Sequence, residues 1–323
     1  IIVRDDLLDR EFIAEHVADA EPVLDVIREI PIDDYAERCG IPVAELEAVA
    51  HRIGRADSCT IFEDLGIEQA PHSTLVSYLQ RLIWIFRGSW AKPGGMYPHT
   101  NLNQLGGGGG GGARKARQSP VTGARIISGL IPCNSIAKEI LTDHPDRFRA
   151  MIVESANPVH SLSESDTFRK AMRSLDFSVA IDVAMTETAR QADYVLPASS
   201  QYEKPESVFF THEFPDNVFT LRKPVLPPLE GTLSEPEIHT RLLEAMGAWN
   251  DDDLVPLHEA AATGRDEFAA AFMEAAAAKP ELTGVGACIL YRTLGPTLPE
   301  GMAEAAAVWF MAQVCAMNHP GAV

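Results

Sequence analysis

Three short apolar runs lie in the stretch that decides the fold, residues 151–204, MIVESANPVHSLSESDTFRKAMRSLDFSVAIDVAMTETARQADYVLPASSQYEK. The runs are Met151-Ile-Val153, Phe177-Ser-Val-Ala-Ile181 and Tyr194-Val-Leu196, and helical or polar segments separate them. Apolar runs that alternate with helices are typical of a parallel sheet with both faces covered. The sequence therefore predicts an α/β fold with a mostly parallel sheet and helices on both faces.

Polar residues follow each of these runs. Asn157 comes after the first run, Asp182 directly after the second, and the pair Glu203-Lys204 shortly after the third. In parallel sheets, ligands bind beyond the carboxyl ends of the strands. An amide, a carboxylate and an ammonium group are therefore expected along one edge of the sheet, and this edge is the predicted binding site.

The chain divides into three predicted regions. Residues 1–56 have the pattern of a helical lead-in, residues 57–250 form the α/β domain, and residues 251–323 are an alanine-rich helical extension. The domain holds a flexible, glycine-rich loop at residues 89–123, where Gly106 to Gly112 are all glycine. Such a run has maximal backbone freedom and adds nothing to a core. A natural loop, an engineered replacement and a placeholder for unidentified residues remain open as its origin, with an artificial origin slightly favoured.

Local patterns predict three further details of the α/β domain. Cys59-Thr-Ile-Phe62 has the composition of a strand. A helix is expected from His72 to Arg87, with its inward face formed by Leu75, Leu79, Leu82, Ile83 and Phe86. Ser163-Glu-Ser-Asp166 has the form of a capping box that opens a helix.

Composition excludes several functional classes. The formal net charge is −19, which disfavours binding to nucleic acid or to an anionic membrane through the overall field. We find no apolar run of membrane-spanning length, so no membrane insertion is expected. The five cysteines have no metal-type spacing, and an odd number of scattered thiols fits a reducing, cytoplasmic location. Neither cysteines nor histidines suggest a metal site.

Four segments, in order, resemble motifs of the molybdopterin oxidoreductases of the dimethyl-sulfoxide-reductase type, the group of nitrate reductases and formate dehydrogenases. The segments are Leu65-Gly-Ile-Glu-Gln69, Phe86-Arg-Gly-Ser-Trp-Ala-Lys-Pro-Gly-Gly95, Glu154-Ser-Ala-Asn-Pro158, and Asp182-Val-Ala-Met-Thr-Glu-Thr-Ala189 followed by Ala192-Asp-Tyr-Val-Leu-Pro-Ala198 and Glu203-Lys204. The likeness spans roughly residues 5–247. One such motif would mean little, but four in order are a specific signal.

The resemblance implies a Rossmann-like domain that binds one of two molybdopterin guanine dinucleotides around a molybdenum or tungsten ion. It implies an oxidoreductase with a small-molecule substrate, completed by further domains or subunits. The family's 4Fe–4S motif, its metal ligand and its second cofactor domain have no counterpart in these residues. The resemblance therefore assigns no catalytic residue and no metal ligand within this chain, and a 4Fe–4S cluster is expected only outside it.

Carried over residue by residue, the resemblance implies six cofactor-binding positions, and a predicted helix start at Thr186 adds a seventh. Gly66 and Gln69 fall in a cofactor-contacting turn, and Asn157 falls in the loop after a strand. Asp182 falls where a carboxylate receives the guanine, whose two adjacent N–H groups suit a bidentate acceptor. For the diphosphate, Lys204 supplies a cation and the helix start near Thr186 supplies backbone N–H groups. Glu237 falls at a weaker acidic contact on a late helix.

Each of these positions also has an ordinary structural interpretation. Asp182 can cap the short helix expected near Thr186, Asn157 before a proline is a common turn residue, and Lys204 can form a surface ion pair. The alternative for the whole chain is a structural subunit of a redox complex that has kept the fold and lost the cofactor. An unrelated nucleotide-binding domain lacks support, because no GxGxxG or P-loop follows a strand.

Overall fold

The computed structural model describes residues 1–97, 117–127, 129–208 and 218–318. Gly106 to Gly112 lie outside the described residues, as does most of the predicted loop around them. The described residues fall into two compact units, residues 1–97 and residues 117–318 without the gaps. The division into three regions that the sequence predicts, with boundaries at residues 56 and 250, stays a prediction.

The first unit is helical. Its helices are α1 (Arg10–His16), α2 (Ala20–Arg28), α3 (Ile32–Cys39), α4 (Val43–Arg55), α5 (Leu65–Glu68) and α6 (Ser73–Phe86). Leu24, Leu82 and Phe86 form its buried core, which joins α2 to α6.

Two predictions for this unit were wrong. Of the residues predicted to face inward on α6, Leu82 and Phe86 are buried. Leu75 and Leu79 are exposed, because only the C-terminal half of this helix reaches the core. Cys59–Phe62 forms no strand and pairs with no strand in the part of the chain that the structure describes. The Cys59 N–H instead donates to Ser89 Oγ at 3.0 Å, and Phe62 is 87% exposed.

The second unit contains the parallel sheet. Its elements are α7 (Cys133–Leu141), β1 (Ala150–Glu154), α8 (Pro158–Ser161), α9 (Ser165–Ser174), β2 (Phe177–Asp182), β3 (Tyr194–Pro197), β4 (Glu206–Val208), β5 (Thr220–Arg222), α10 (Glu235–Ala245), α11 (Asp251–Thr263), α12 (Arg265–Ala278), α13 (Gly286–Thr293) and α14 (Ala305–Asn318). The strands β1, β2 and β3 are parallel neighbours in that order. The α/β fold with a parallel sheet is therefore confirmed.

Helices cover both faces of this sheet, as predicted. On one face, Val153 packs with Phe168 and Met172 of α9. On the other face, Val179 and Ile181 pack with Ile238 of α10. Side chains alternate between the two faces along each strand, so strands buried on both sides have continuous apolar sequences.

The predicted capping box at Ser163–Asp166 was wrong. Glu164 occupies the N-cap position in the left-handed region, with φ of 59°, and makes no side-chain capping bond. Ser165 is the first helical residue, and its hydroxyl donates to the Leu162 carbonyl at 3.2 Å. The helix therefore begins one step later than the capping box requires.

The alanine-rich extension has its own core. Leu257 of α11, Phe268 of α12 and Leu290 of α13 are buried together, with Trp309 of α14 packed against them. Leu243 of α10 also packs on this cluster, while Leu242 packs on the sheet. Helix α10 therefore joins the sheet to the extension. No helix among the described residues is long and apolar enough to cross a membrane.

Candidate functional site

The carboxyl ends of β1, β2 and β3 and the loops that follow them, which we call the carboxyl edge, hold Asn157, Asp182, Thr186 and Lys204. Strand β1 ends at Glu154, which pairs with Ile181, and the next residue, Asp182, pairs with Pro197 at the end of β3. The three strands therefore end side by side. The loops that leave them carry Asn157 and Lys204, while Asp182 closes β2 itself.

Asp182 presents a fixed carboxylate at this edge. Its Oδ1 accepts hydrogen bonds from the backbone N–H groups of Val183 at 2.7 Å and Ala184 at 3.3 Å. Within the described residues, Oδ2 has no hydrogen-bond partner, and the side chain is half-buried. Asp182 is thus held through Oδ1, and only Oδ2 is available to a ligand. The bidentate contact with guanine that was expected from the sequence needs both oxygens.

Asn157 links the loop after β1 to the loop after β2. Its Oδ1 accepts from the Thr188 N–H at 3.1 Å and from the Thr188 hydroxyl at 2.8 Å, and its Nδ2 donates to Glu187 at 2.6 Å. Thr188 is fully buried, and its hydroxyl accepts from the Val159 N–H. These contacts use both ends of the Asn157 amide, so this side chain braces the carboxyl edge.

Thr186 shapes the loop after Asp182. The expected helix does not begin there: a 3₁₀ helix spans Ala189–Gln191, and the Thr186 hydroxyl accepts from the Ala189 N–H at 3.2 Å. Asp182 does not cap this 3₁₀ helix, because its oxygen bonds to Val183 and Ala184 instead. Thr186 is thus a turn-forming residue in this loop.

Glu203 and Lys204 have different partners despite being neighbours. The buried Glu203 accepts from the Ser200 N–H at 2.7 Å and the Leu229 N–H at 2.9 Å. These hydrogen bonds, the one from Ser200 first, hold the pKa of Glu203 below its ordinary value. The Lys204 ammonium donates to both oxygens of Glu235, the first residue of α10. Sequence reasoning missed Glu235, whose only signal was its place in an acidic helix start.

Glu237 faces the helical extension. Its carboxylate accepts from Arg241 at 2.6 Å and from Arg292 of α13 at 3.3 Å. Burial, followed by the Glu237 and Glu304 carboxylates, raises the pKa of the neighbouring Tyr291 to about 12. The described contacts of Glu237 therefore join α10 to α13.

The remaining two predicted residues, Gly66 and Gln69, lie in the first unit. Gly66 is inside the single turn of α5, and an added Cβ there would meet no atom within 4 Å. Gln69 ends this turn with an exposed side chain. Beside the turn is an open cavity of about 400 Å³, lined by Glu63, Glu68, Ser73, Thr74, Ser77, Tyr78 and Arg81.

The motif Phe86–Gly95 has a clear structural basis. Gly88 has φ of 57° after the end of α6, and Gly94 has φ of 74°. A Cβ on Gly95 would lie 2.4 Å from the Ser89 carbonyl oxygen, which accepts from the Met96 N–H. These glycines therefore permit a tight reversal that larger residues would obstruct.

Comparison with known proteins identifies the class. Residues 82–231 match the family model described as Molybdopterin oxidoreductase. This match confirms the resemblance seen in the motifs: residues 82–231 form a molybdopterin oxidoreductase domain. The family implies a molybdopterin cofactor.

Individual relatives agree with this class. The chain is 27% identical over 259 residues to the F420-dependent formate dehydrogenase subunit alpha of Methanocaldococcus jannaschii, covering 76% of this chain and 38% of that protein. It is 27% identical over 222 residues to the assimilatory nitrate reductase catalytic subunit of Bacillus subtilis, covering 63% of this chain and 31% of the relative. The chain thus spans well under half the length of these relatives.

A solved structure supports the fold. Acetylene hydratase from Pelobacter acetylenicus superposes with a TM-score of 0.64 at 18% sequence identity, covering 76% of this chain and 38% of that one. At this identity the likeness concerns the fold alone.

The carboxyl edge offers a ligand one acceptor and one cation. Asp182 Oδ2 is an ionisable acceptor without a protein partner among the described residues, and guanine N–H groups are suitable donors to it. Lys204 donates to two oxygens of Glu235, and a lysine ammonium has three N–H groups. In the part of the chain that the structure describes, no cluster of three or more His, Cys, Asp or Glu side chains is arranged to hold a metal ion.

Proposed function

We propose that this chain is the part of a bis-molybdopterin guanine dinucleotide oxidoreductase that binds the guanine dinucleotide of one pterin. The observation that carries the proposal is Asp182, whose carboxylate is fixed at the carboxyl edge with one oxygen available. The family match and the formate dehydrogenase and nitrate reductase relatives support it.

In this proposal the chain binds and orients the cofactor. Asp182 receives the guanine, Lys204 contacts a phosphate, and Asn157 keeps the two neighbouring loops in register. Gly66 and Gln69 of α5 are proposed cofactor-contacting residues of the first unit. Thr186 shapes the loop beside Asp182, and Glu237 is the weakest of the proposed contacts.

When bound, the molybdenum or tungsten of such a cofactor exchanges two electrons with a small-molecule substrate. Other domains or subunits supply the metal ligand and the 4Fe–4S cluster. The catalytic residues are therefore proposed to lie outside this chain, and its own residues position the cofactor and set the charge around it. The proposed compartment is the cytoplasm, in keeping with the free thiols of Cys39, Cys59, Cys133 and Cys288.

A second candidate is a structural subunit of the same fold without the cofactor. It is favoured by one observation: Asn157, Lys204 and Glu237 all have protein partners, so these side chains need no ligand to satisfy them. Asp182 fits the first candidate, because its Oδ2 is left to accept from a ligand in place of water.

The test is the guanine content of the complete protein that contains this chain. Acid hydrolysis of a guanine dinucleotide releases GMP, which chromatography quantifies beside the molybdenum or tungsten content. We expect Asp182→Ala to lower both, whereas Asp176→Ala, at the opposite end of β2 in an ion pair with Arg149, should retain both. A folded wild-type protein without GMP would establish the structural subunit instead, and full GMP in Asp182→Ala would refute the role of Asp182.

A further inference from the structure

Glu235 brings a carboxylate into direct contact with the cation of the proposed site. Both of its oxygens accept hydrogen bonds from the Lys204 ammonium. The two side chains are mostly buried, with 20% of Lys204 and 16% of Glu235 exposed. A pair this sheltered is screened by salt less than a surface pair.

Among the described residues, no other nearby carboxylate pairs with Lys204. Glu203 is adjacent in sequence, but its oxygens accept from the backbone N–H groups of Ser200 and Leu229. Glu237 lies in the same turn of α10, and its charge is balanced by Arg241 and Arg292. Glu235 is therefore the carboxylate that neutralises Lys204.

We propose that Glu235 competes with the phosphates of the ligand for Lys204. This competition lowers the affinity of the site more for a ligand with more negative charge. The inference rests on the proposed function, because it takes Lys204 as a phosphate contact. A neutral ion pair attracts an anion weakly, and a phosphate that reaches Lys204 also approaches Glu235, where like charges repel. The uncharged part of the ligand, the guanosine at Asp182, is unaffected by this competition.

Ligands that share guanosine and differ in charge separate the two contacts. We suggest titration calorimetry of the full chain with guanosine, GMP and GDP, for the wild type and for Glu235→Gln. Glutamine keeps the volume of Glu235 and one carbonyl oxygen for Lys204 while removing the charge. We expect unchanged guanosine affinity and a GDP affinity that rises about tenfold, equivalent to about 1.4 kcal/mol, with a smaller gain for GMP.

Two further variants complete the test. Lys204→Ala should remove the preference for GDP over guanosine, and adding Glu235→Gln to it should restore little of that preference. Glu206→Gln is the matched control, because Glu206 also pairs with a cation, Arg222, at 2.9 Å in the same unit. This control should leave the affinities for all three ligands unchanged.

The outcomes distinguish this inference from the function on which it rests. If Glu235→Gln binds guanosine normally but binds GDP no more tightly, or more weakly, the competition is refuted and Glu235 instead positions Lys204. If the folded wild type binds no guanosine, or Asp182→Ala binds it equally well, the proposed function fails and the competition fails with it.

Discussion

Replacing Asn157 with alanine tests whether this residue is the brace of the carboxyl edge. The change removes Asn157 Oδ1, which accepts hydrogen bonds from the buried Thr188 N–H at 3.1 Å and from the Thr188 hydroxyl at 2.8 Å. Among the described residues, the Thr188 N–H has no other acceptor. An unsatisfied buried donor costs about 1–3 kcal/mol. Since the hydroxyl can rotate and water can enter the shortened site, we expect the free energy of unfolding to fall by about 2–4 kcal/mol.

Urea denaturation followed by circular dichroism measures this loss. Asp166→Ala is the control, because Asp166 is 87% exposed in an ion pair with Arg169, and its loss should cost less than about 1 kcal/mol. A double-mutant cycle adds Thr188→Val: if Asn157 acts through Thr188, the double variant should lose clearly less than the sum of the single losses. A loss below about 0.5 kcal/mol in Asn157→Ala would refute the brace.

The pH dependence of the same variant gives a second readout. The Asn157 amide, followed by the backbone N–H of Glu187 itself, holds the pKa of Glu187 below its ordinary value. A lowered carboxyl pKa stabilises the fold above the unfolded-state pKa, and this contribution is lost as pH falls through the folded-state pKa. The stability difference between wild type and Asn157→Ala should therefore shrink under acidic conditions. A difference that grows on acidification would contradict the assigned contact.

Two further predictions concern the segments on either side of residues 98–116. The buried Glu139 accepts hydrogen bonds from the Val121 N–H at 3.0 Å and from the Thr122 N–H and hydroxyl at 2.9 and 2.6 Å; burial raises the pKa of Glu139, but hydrogen bonds from Ser119 and Thr122 outweigh burial and lower it. Glu139→Gln should therefore lower the free energy of unfolding by about 1–3 kcal/mol at pH values above the ordinary glutamate pKa, and by progressively less as pH falls. A stability loss that does not change with pH would refute this prediction. Gly95→Ala should lower the melting temperature, because its Cβ would lie 2.4 Å from the Ser89 carbonyl oxygen. Gly66→Ala is the control and should leave the melting temperature unchanged, because the space around Gly66 is open. Equal melting temperatures for the two variants would contradict the assigned packing.

The sequence predicted the sheet well because its signal is local. The runs 151–153, 177–181 and 194–196 became strands 150–154, 177–182 and 194–197, each longer by one or two residues. Strand β2 is buried along most of its length, which requires nearly continuous apolar residues, and such a run is visible in a single sequence. The parallel direction follows from the helical segments between the strands.

The contacts of the candidate site were less predictable. Thr188 lies 31 residues from Asn157, and Glu235 lies 31 residues from Lys204. Partners at such separations depend on how loops fold back over the sheet, which leaves no periodic signal in the sequence. The same limit explains Leu75: helical spacing identifies an apolar face on α6, but not which part of that face reaches a core.

A crystal structure of the chain soaked with GDP tests the central claim most directly. The account predicts the guanine at the carboxyl edge, with Asp182 Oδ2 within about 2.7–3.2 Å of its N1 or N2 nitrogen. Guanine bound elsewhere, or Asp182 facing solvent beside an ordered GDP, would contradict it.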